Sequence, residues 1–400
     1  MPAPGEKPYK VYRGGRTKGK VPLTGGDRRE RKPKKQESGR GDGGGSGRSV
    51  VRRPRKRWTW RRWLPLTLAV LLLALVLWGV AGYFSIRSGV TAANGRLPEG
   101  TTAALTPQNG LMVSNASNIL LLGTDHSDNG QAGRSSDRHS DSMMLLRTDP
   151  SRHRLVFLSI PRDLRATIPG YGESKINAAM QIGGPPLAIK TVDALFGAAL
   201  PVNHVVIVDF SAFQKLIDGI GGIDVNVPEP ILSNSFDCPY SAQSGRCASW
   251  QGWRFHKGVQ HMNGHQALIY SRIRENRLNP ADSDVTRALR QQQVMQTTLT
   301  KLASASTFFR LPLSGRDLLS PIATDLSTWQ FLQLGWVKFR AGTTLHCRLG
   351  GKDLGDGFIT GDQGNIAVIQ MVIGNSAPQP PPPGSGPYGS GCVTGNETFK

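Results

Sequence analysis

NILLLGTD (118–125), SMMLLRTD (142–149) and RLVFLSIPRD (154–163) are the three apolar runs that decide the fold of this chain. Each run is short and ends in polar residues, a pattern typical of a buried β-strand that leads into a loop. The second and third runs flank Asp149-Pro150-Ser151, a turn sequence that predicts a hairpin between them. The sequence therefore predicts the beginning of a β-sheet here.

Strands and helices alternate after these runs. HVVIVDF (204–210) and IDVNVP (223–228) have the pattern of strands. Ser211 is the expected N-cap of a helix that ends in glycines. Apolar residues at helical spacing predict helices at 185–196, 211–222, 263–274 and 284–302. Alternating strands and helices predict an α/β layered domain, with weaker signals as far as Ile373.

The charge of the chain is unevenly distributed. The 400 residues contain 49 Lys and Arg against 28 Asp and Glu, a net charge of +21. Residues 1–62 hold 21 basic and 5 acidic residues, a net +16, and the remaining 338 hold 28 and 23, a net +5. The first segment is rich in Gly and Pro without hydrophobic periodicity, so we expect disorder there. The nearly neutral body weakens the nucleic-acid interpretation that a basic average suggests.

Residues 64–84 are 21 consecutive residues without a charge, which is long enough to cross a bilayer as a helix. Aromatic residues flank this run, and the basic cluster 52–62 precedes it, as the positive-inside rule expects of a cytoplasmic boundary. We therefore predict a transmembrane helix over 63–85 with a cytoplasmic N-terminus. A cleaved signal peptide and a buried core helix are the alternatives, and the run is too long for either.

All four cysteines follow the membrane segment, where an exported domain would form disulfides. Cys238 and Cys247 flank a short polar loop and are the expected local pair, which leaves Cys347 and Cys392 to pin the C-terminal tail. We expect a disulfide that closes the short loop between Cys238 and Cys247 to stabilise the fold by about 2–3 kcal/mol. Free buried thiols are the alternative, and the spacing is not that of a redox motif or a zinc site.

Carboxylates at two strand ends form the first polar cluster. Asp125 ends the first strand and Asp141 opens the second, so both are candidate ligands of a hard divalent cation such as Mg²⁺. The alternative is that the two aspartates are ordinary turn residues.

Basic residues form two more clusters. Arg162 and Asp163 follow a strand, with Lys175 downstream, and are either a phosphate clamp or a surface salt bridge. Arg287, Arg290 and Gln291 share one face of a predicted helix, which follows Arg272 and Arg274. That cationic face could bind phosphate or remain solvated. The sequence has no P-loop, zinc-protease or nucleophile-elbow motif.

Eight stretches in a fixed order resemble the LytR-CpsA-Psr family of bacterial cell-wall ligases. They cover 118–302 and are NILLLGTD, SDSMMLL, LVFLSIPRD, SKINAAMQIGGPPLAIKTVDALFG, HVVIVDF, LIDGIGGIDVNVP, MNGHQALIYSRIR and SDVTRALRQQQ. Each stretch is weak alone, but their joint order and spacing are specific. The resemblance implies a three-layer α/β/α fold with a twisted mixed central sheet and a hydrophobic polyprenyl pocket, preceded by one transmembrane helix.

Composition and the apolar run, together with the resemblance, divide the chain into five predicted segments. They are a disordered basic cytoplasmic tail (1–62), a transmembrane helix (63–85), an extracytoplasmic stalk (86–116), a catalytic domain (117–375, core 118–302) and a Pro/Gly-rich tail (376–400). The resemblance also implies a function. The implied activity is transfer of a phosphoglycan from a polyprenyl-pyrophosphate carrier to a sugar hydroxyl of peptidoglycan, with a pyrophosphatase side activity. The implied partners are this donor, the acceptor and the membrane, with no nucleic acid.

Site residues carry over position by position. Arg162 matches the catalytic arginine, with Asp163 beside it, and Asp125 and Asp141 match the aspartates associated with Mg²⁺, or with Mn²⁺ in its place. The remaining matches are pyrophosphate-binding residues: Arg138, Lys175, Arg272, Arg274, Arg287, Arg290 and Gln291. Since Asp163 neighbours Arg162, we expect it to orient the arginine rather than act as the base.

One position departs from the family pattern. His139 stands where an arginine is expected, so either Arg138 substitutes for that arginine or a phosphate contact is weakened. Two other functions stay open at this point: a wall-binding or hydrolytic protein that does not ligate, and a regulator that uses the basic tail.

Overall fold

The computed structural model describes residues 60–124, 140–236, 238–240, 245–279, 284–353, 355–385 and 388–395. Residues 1–59 of the tail that we predict to be disordered lie outside the described residues.

Eight α-helices and fifteen β-strands form within the described residues. The helices are α1 (Trp60–Asn94), α2 (Ala178–Phe196), α3 (Phe210–Gly219), α4 (Gly264–Arg272), α5 (Asp284–Leu302), α6 (Ala305–Leu319), α7 (Thr328–Arg340) and α8 (Gln363–Ile373). The strands are β1 (Ser117–Thr124), β2 (Ser140–Asp149), β3 (Arg154–Ile160), β4 (Arg165–Ile168), β5 (Gly172–Lys175), β6 (His204–Asp209), β7 (Ile223–Val227), β8 (Ile231–Leu232), β9 (Arg254–Phe255), β10 (Gly258–Met262), β11 (Ala323–Thr324), β12 (Thr343–Arg348), β13 (Lys352–Asp353), β14 (Ile359–Thr360) and β15 (Gly391–Thr394).

Seven strands form the central sheet, in the order β11-β6-β1-β2-β3-β12-β15. The pairs β1–β6 and β3–β12 are parallel, and the other neighbouring pairs are antiparallel. Strands β1, β3, β6 and β12 therefore run in one direction, and their carboxyl ends meet at one edge. The hairpin predicted between the second and third apolar runs is confirmed by the β2–β3 pairing.

Helices cover both faces of this sheet. In β1, Leu120 and Leu122 pack in a core shared with α2 and α8, while Ile119 and Leu121 pack in a second core shared with α5 and α7. Successive side chains of a strand point to opposite faces, so a strand that is apolar throughout is buried on both. The three-layer α/β/α arrangement with a mixed sheet is confirmed.

A third apolar cluster lies beside the sheet and joins α3, α4, β7 and α5. Its centre is Tyr270, which is fully buried and donates a hydrogen bond from its hydroxyl to Gln293 at 3.0 Å. This cluster holds the helices that carry the basic residues of the candidate site.

Helix α1 contains the predicted membrane segment. Among the described residues, the span Trp63–Asn94 is the one long and apolar enough to cross a membrane, by length and composition. Its most apolar part has no contact that buries it within the domain. The helix continues past the predicted end at 85, so the first residues of the predicted stalk are helical.

The predicted cap of α3 is wrong. Asp209, not Ser211, is the N-cap, and its carboxylate accepts a hydrogen bond from the Ala212 backbone N–H at 2.6 Å. The helix begins at Phe210 because Asp209 ends β6, and aspartate caps a helix as well as serine does. Helix α2 also begins earlier than predicted, with a break at Gly183–Gly184, where Gly184 has a left-handed φ of 64°.

Both predicted disulfides form. Cys238 pairs with Cys247 across 9 residues, and Cys347 pairs with Cys392 across 45 residues. The second bridge is buried and joins β12 to β15, whose paired residues include these two cysteines.

Removal of the two disulfides should have unequal effects. The longer loop predicts that Cys347→Ala/Cys392→Ala lowers the free energy of unfolding by about 4 kcal/mol, against about 2.5 kcal/mol for Cys238→Ala/Cys247→Ala. Chemical denaturation of the detergent-solubilised chain measures both. If both variants lost the same free energy of unfolding, the Cys347–Cys392 disulfide would not stabilise the fold more than the Cys238–Cys247 disulfide.

His346 is a buried histidine in β12. Its ring stacks on Phe157 at a centroid distance of 5.4 Å, and its Nε2 has no hydrogen-bond partner within the described part of the chain. Burial disfavours the charged imidazolium and lowers the pKa of His346 from 6.5 to about 4.

This depressed pKa predicts an acid-sensitive fold. The unfolded chain takes up the proton near pH 6.5 and the folded chain only near pH 4, so stability is complete above 6.5 and is lost as the pH falls toward 4. The loss amounts to about 3 kcal/mol. His346→Met should flatten the stability profile between these pH values, while the exposed His256→Met should not. If stability depended on pH in the same way in both variants, burial of His346 would not be the cause of the acid sensitivity.

Candidate active site

The carboxyl ends of the four parallel strands place the site. Thr124 ends β1, Ile160 ends β3, Asp209 ends β6 and Arg348 ends β12, all at one edge of the sheet. Strand β2 begins at the same edge with Ser140. Open α/β sheets bind ligands outside the carboxyl ends of their strands, so this edge is the place to expect the site.

The turn after β3 presents Arg162 and Asp163. The Arg162 carbonyl accepts a hydrogen bond from the Asn177 N–H at 3.2 Å, and the Asp163 carbonyl accepts one from the Ile359 N–H at 2.9 Å. Two backbone hydrogen bonds therefore fix the conformation of the turn, and with it the positions from which the Arg162 and Asp163 side chains extend.

Two cations engage the Asp163 carboxylate. Arg162 Nε donates to Oδ2 at 3.3 Å, and Lys175 Nζ donates to Oδ1 at 2.9 Å. The three side chains are about one-fifth to one-third exposed. Both carboxylate oxygens thus have a cationic donor, an arrangement that fixes the direction of the Arg162 guanidinium.

An apolar cavity of about 390 Å³ lies between the sheet edge and helices α3, α4 and α5. We call it the lipophilic cavity. Its walls are aliphatic and aromatic side chains that include Leu121, Met144, Phe210, Phe213, Leu268 and Val294. A cavity of this composition excludes water and suits a hydrocarbon ligand.

Part of the lining of the lipophilic cavity is cationic, and we call this part its cationic end. Arg272, Arg274, Arg287 and Gln291 line it together with Glu275. The Arg272 guanidinium lies 4.6 Å from the centroid of the Phe210 ring, a cation–π contact that holds it at the boundary between apolar and polar surface.

A smaller recess of about 50 Å³, which we call the polar recess for its charged side chains, lies next to the lipophilic cavity and shares lining residues with it. Arg162, Asp163 and Arg348 line it, and Arg287 and Gln291 line both the recess and the lipophilic cavity. The structure therefore brings six predicted site residues around two adjacent spaces, with Lys175 on Asp163: Arg162, Asp163, Arg272, Arg274, Arg287 and Gln291.

Arg290 has a different position from its helix neighbours. It is buried, and its Nη2 donates to the Ile273 carbonyl at 2.6 Å. The described residues that line the two spaces do not include Arg290. This contact ties α5 to the segment that carries Arg272 and Arg274, and the predicted substrate contact of Arg290 stays a prediction.

Four residues discussed in the sequence analysis lie outside the described part of the chain, wholly or by their side chain. Asp125 and Arg138 lie outside the described residues, as does His139, and the Asp141 side chain does too, although its backbone belongs to β2. Groups of three or more His, Cys, Asp or Glu are absent from the part of the chain that the structure describes. The predicted Mg²⁺ ligands therefore rest on their sequence positions, directly after β1 and at the start of β2.

Arg348 is a site residue that the sequence did not indicate. It is 5% exposed, and its Nε and Nη2 donate to the Gly389 carbonyl at 3.0 and 2.7 Å. Burial lowers the pKa of Arg348 to about 10, which leaves it cationic at neutral pH. Only the parallel pairing of β12 with β3 brings it beside Arg162, and 186 residues separate the two in the chain.

A hydrocarbon-lined cavity that opens among arginines fits one class of ligand. Such a ligand has a long apolar chain and a phosphate head, because guanidinium groups match phosphate oxygens in charge and geometry. The fold and the site thus define an α/β/α protein with a cavity that suits an amphiphilic phosphate.

The family follows from a direct comparison. The LytR_cpsA_psr family profile matches residues 84–340, more than half of the chain. The chain belongs to this family, and the resemblance inferred from its ordered motifs is confirmed.

Two named relatives and one solved structure illustrate the match. The chain is 32% identical over 289 residues to polyisoprenyl-teichoic acid–peptidoglycan teichoic acid transferase TagU of Oceanobacillus iheyensis, covering 69% of this chain and 82% of that protein. It is 32% identical over 219 residues to Regulatory protein MsrR of Staphylococcus aureus, but covers only 58% of that protein and 54% of this chain. The crystal structure of Bacillus subtilis TagV matches with a TM-score of 0.51 and 26% identity over 66% of this chain and 97% of that chain.

The position of Arg348 predicts a binding role. Arg348→Met removes a buried guanidinium from the polar recess and should weaken binding of a polyprenyl pyrophosphate by about 10- to 150-fold, since hydrogen bonds to charged groups contribute about 1.5–3 kcal/mol. Isothermal titration in detergent measures the affinity.

Thermal unfolding of the same variant separates binding from folding. The exposed Arg96→Met is the control and should bind as the unaltered chain does. Unchanged affinity in a folded Arg348→Met chain would exclude this residue from the site.

Proposed function

We propose that this chain is a membrane-anchored phosphotransferase. It would move a glycopolymer from a polyprenyl-pyrophosphate carrier to a sugar hydroxyl of peptidoglycan. The observation that carries the proposal is the lipophilic cavity, which opens onto arginines and adjoins the recess of Arg162. The name of the TagU relative supports the reaction class, because that protein transfers teichoic acid from a polyisoprenyl carrier to peptidoglycan.

Each part of the donor has a matching surface. The polyprenyl chain fits the lipophilic cavity, whose walls include Phe213, Leu268 and Val294. The pyrophosphate then lies at the cationic end, within reach of Arg272 and Arg287. The glycan would leave the site toward solvent, where its length imposes no limit.

The chemistry is displacement at the phosphorus that bears the glycan. The acceptor hydroxyl oxygen bonds to that phosphorus, the bond to the bridging oxygen breaks, and polyprenyl phosphate leaves with the bonding electrons. The hydroxyl proton passes to solvent or to the leaving phosphate. Arginines stabilise the charge on the phosphoryl oxygens, which otherwise repels the attacking oxygen.

Asp163 acts on this step through Arg162. Both of its carboxylate oxygens have cationic donors, Arg162 and Lys175, so the carboxylate is engaged as an orienting group.

A divalent cation completes the proposal. Mg²⁺, or Mn²⁺ in its place, would supply further neutralisation of the pyrophosphate charge. Asp125 and Asp141 would hold it, since carboxylates are the ligands that a hard cation prefers and both follow or open strands at the site edge.

The location of the domain outside the cytoplasm is part of the proposal. Two disulfides in the folded body are typical of an oxidising compartment, and the basic cluster 52–62 favours a cytoplasmic N-terminus. This orientation separates the domain from DNA and disfavours a regulatory function. Transfer to water instead of a sugar would give a pyrophosphatase side activity from the same residues.

Substitution of Arg162 tests the proposed reaction. In liposomes with a polyprenyl-pyrophosphate glycan, peptidoglycan fragments and Mg²⁺, the unaltered chain should transfer glycan. Arg162→Ala should lose about 10²–10³ in turnover, the effect of removing one preorganised donor to a developing charge. Chromatography of labelled glycan measures both transfer and hydrolysis.

The controls separate the roles of the pair. Asp163→Asn should retain measurable turnover if it orients Arg162, whereas near-total loss with unchanged donor binding would identify Asp163 as the base. The exposed Arg96→Ala should behave as the unaltered chain does. Absence of both transfer and hydrolysis with every donor would refute the proposed function.

A further inference from the structure

Helix α6 packs directly along the membrane-spanning helix α1. The Trp78 and Phe309 rings lie 5.8 Å apart, and Trp78 Nε1 donates to the Phe309 carbonyl at 3.3 Å. Further along both helices, the Arg316 N–H donates to Ser85 Oγ at 3.1 Å. The two helices therefore run side by side in the same direction.

Glycines bring the two backbones together. A Cβ added at Gly89 would lie 2.8 Å from the Gly315 carbonyl oxygen, and one added at Gly315 would lie 3.0 Å from Ser85 Oγ. Small residues at such a crossing are typical of helices that associate in lipid. The pairing is thus close enough to fix the depth of α6 relative to α1.

That depth places the first half of α6 beside apolar membrane sequence. Trp78 belongs to the uncharged run 64–84, so Phe309 lies level with residues that would be in hydrocarbon. Phe309 is 66% exposed and Leu313 is 87% exposed. Two large apolar side chains next to a membrane helix would be solvated by lipid rather than by water.

Helix α7 carries a second exposed apolar stripe. Trp329, Leu332, Trp336 and Phe339 follow one another at helical spacing and are each between 37% and 74% exposed. At about 100° per residue these four positions fall within an arc of about 80°. The opposite face, with Val337, packs on the sheet.

The composition of the α7 stripe is that of a membrane interface. Tryptophan is enriched at the headgroup level of bilayers, and Arg340, which is exposed beside the stripe in the last turn, would face anionic lipid. The start of α7 adjoins the end of α1, where Asn94 Nδ2 donates to the Leu326 carbonyl at 3.4 Å. The stripe is therefore tied to the membrane helix at one end.

We propose that α6 and α7 form a membrane-seated surface. Helix α6 enters the acyl region of the leaflet nearest the domain, and the α7 stripe lies at its headgroup level. Lipid is the occupant because the surface is continuous with α1, whose apolar run must itself be in lipid. This inference rests on the membrane anchor and not on the transfer chemistry.

The proposed seat places the lipophilic cavity close to the bilayer. Helix α5, which carries Arg287 and Gln291, ends at Leu302, three residues before α6 begins. Helix α3 packs on α6 so closely that a Cβ at Gly219 would lie 2.8 Å from Leu318 Cδ2. Two walls of the cavity thus rest on a helix in the membrane, which shortens the path of a lipid chain from bilayer to site.

Fluorescent labels on single introduced cysteines test the seat. All four native cysteines are in disulfides, so a maleimide dye reacts only with the new thiol of Leu313→Cys, Phe339→Cys or Ile366→Cys. The full chain is reconstituted in phosphatidylcholine vesicles with a minority of phosphatidylglycerol and acyl-brominated lipid. Ile366 is the matched control, since it is exposed on α8 beside β15, at the sheet edge opposite β11, which contacts α1.

The fluorescence emission of the labels at 313 and 339 should shift to shorter wavelength. The brominated lipid should quench both labels several-fold more than the label at 366. Equal quenching at all three positions would overturn the proposal. Quenching at 313 alone would confine the seat to α6 and overturn the part concerning α7. These readouts need no substrate, so they remain informative whether or not the proposed reaction occurs.

Hydroxyl-radical footprinting gives the same test without substitutions. In vesicles, oxidation of Trp329 and Trp336 should fall several-fold relative to the exposed Tyr171, which lies between β4 and β5. Equal oxidation of the tryptophans and Tyr171 would contradict a membrane-seated α7.

Discussion

The parallel pairing of β3 with β12 is the constraint on which the site depends. It brings the turn that carries Arg162 to the same recess as Arg348. The buried Cys347–Cys392 bridge joins β12 to β15, which begins two residues after Gly389, the backbone acceptor of the Arg348 guanidinium. Both guanidinium groups line the same recess, where like charges repel, and the fold holds them through the Gly389 carbonyl and the Asp163 carboxylate. A ligand with several negative charges would relieve that repulsion, which is why the arrangement suits a pyrophosphate.

The sequence predicted the strands and much of the site because both depend on local signals. The runs that became β1, β2 and β3 are apolar throughout, and Arg162 and Asp163 follow the third directly. Arg348 could not be found this way, because its burial and its neighbour come from a pairing across 186 residues. The Asp209 cap was missed for a smaller reason, since Asp209 ends a strand and caps a helix at once.

The position of Arg290 likewise depends on tertiary packing that its sequence neighbours do not indicate. Its helical spacing from Arg287 predicts a shared face, yet the Ile273 carbonyl takes up its guanidinium inside the protein. Spacing on a helix predicts direction only, and the packing of α5 against the segment after α4 decides which arginine meets the cavity. Arg287 and Gln291 face both spaces, whereas Arg290 joins the elements that form them.

The central claim is that one amphiphile occupies both adjacent spaces, with its chain in the lipophilic cavity and its pyrophosphate among the arginines. Photo-crosslinking with a diazirine near the end of a polyprenyl-pyrophosphate chain tests this most directly, with adducts mapped by mass spectrometry. The account predicts adducts on cavity residues such as Phe213, Leu268 and Val294, abolished by excess unlabelled carrier. Adducts confined to α1, or spread over the surface and insensitive to competition, would contradict it.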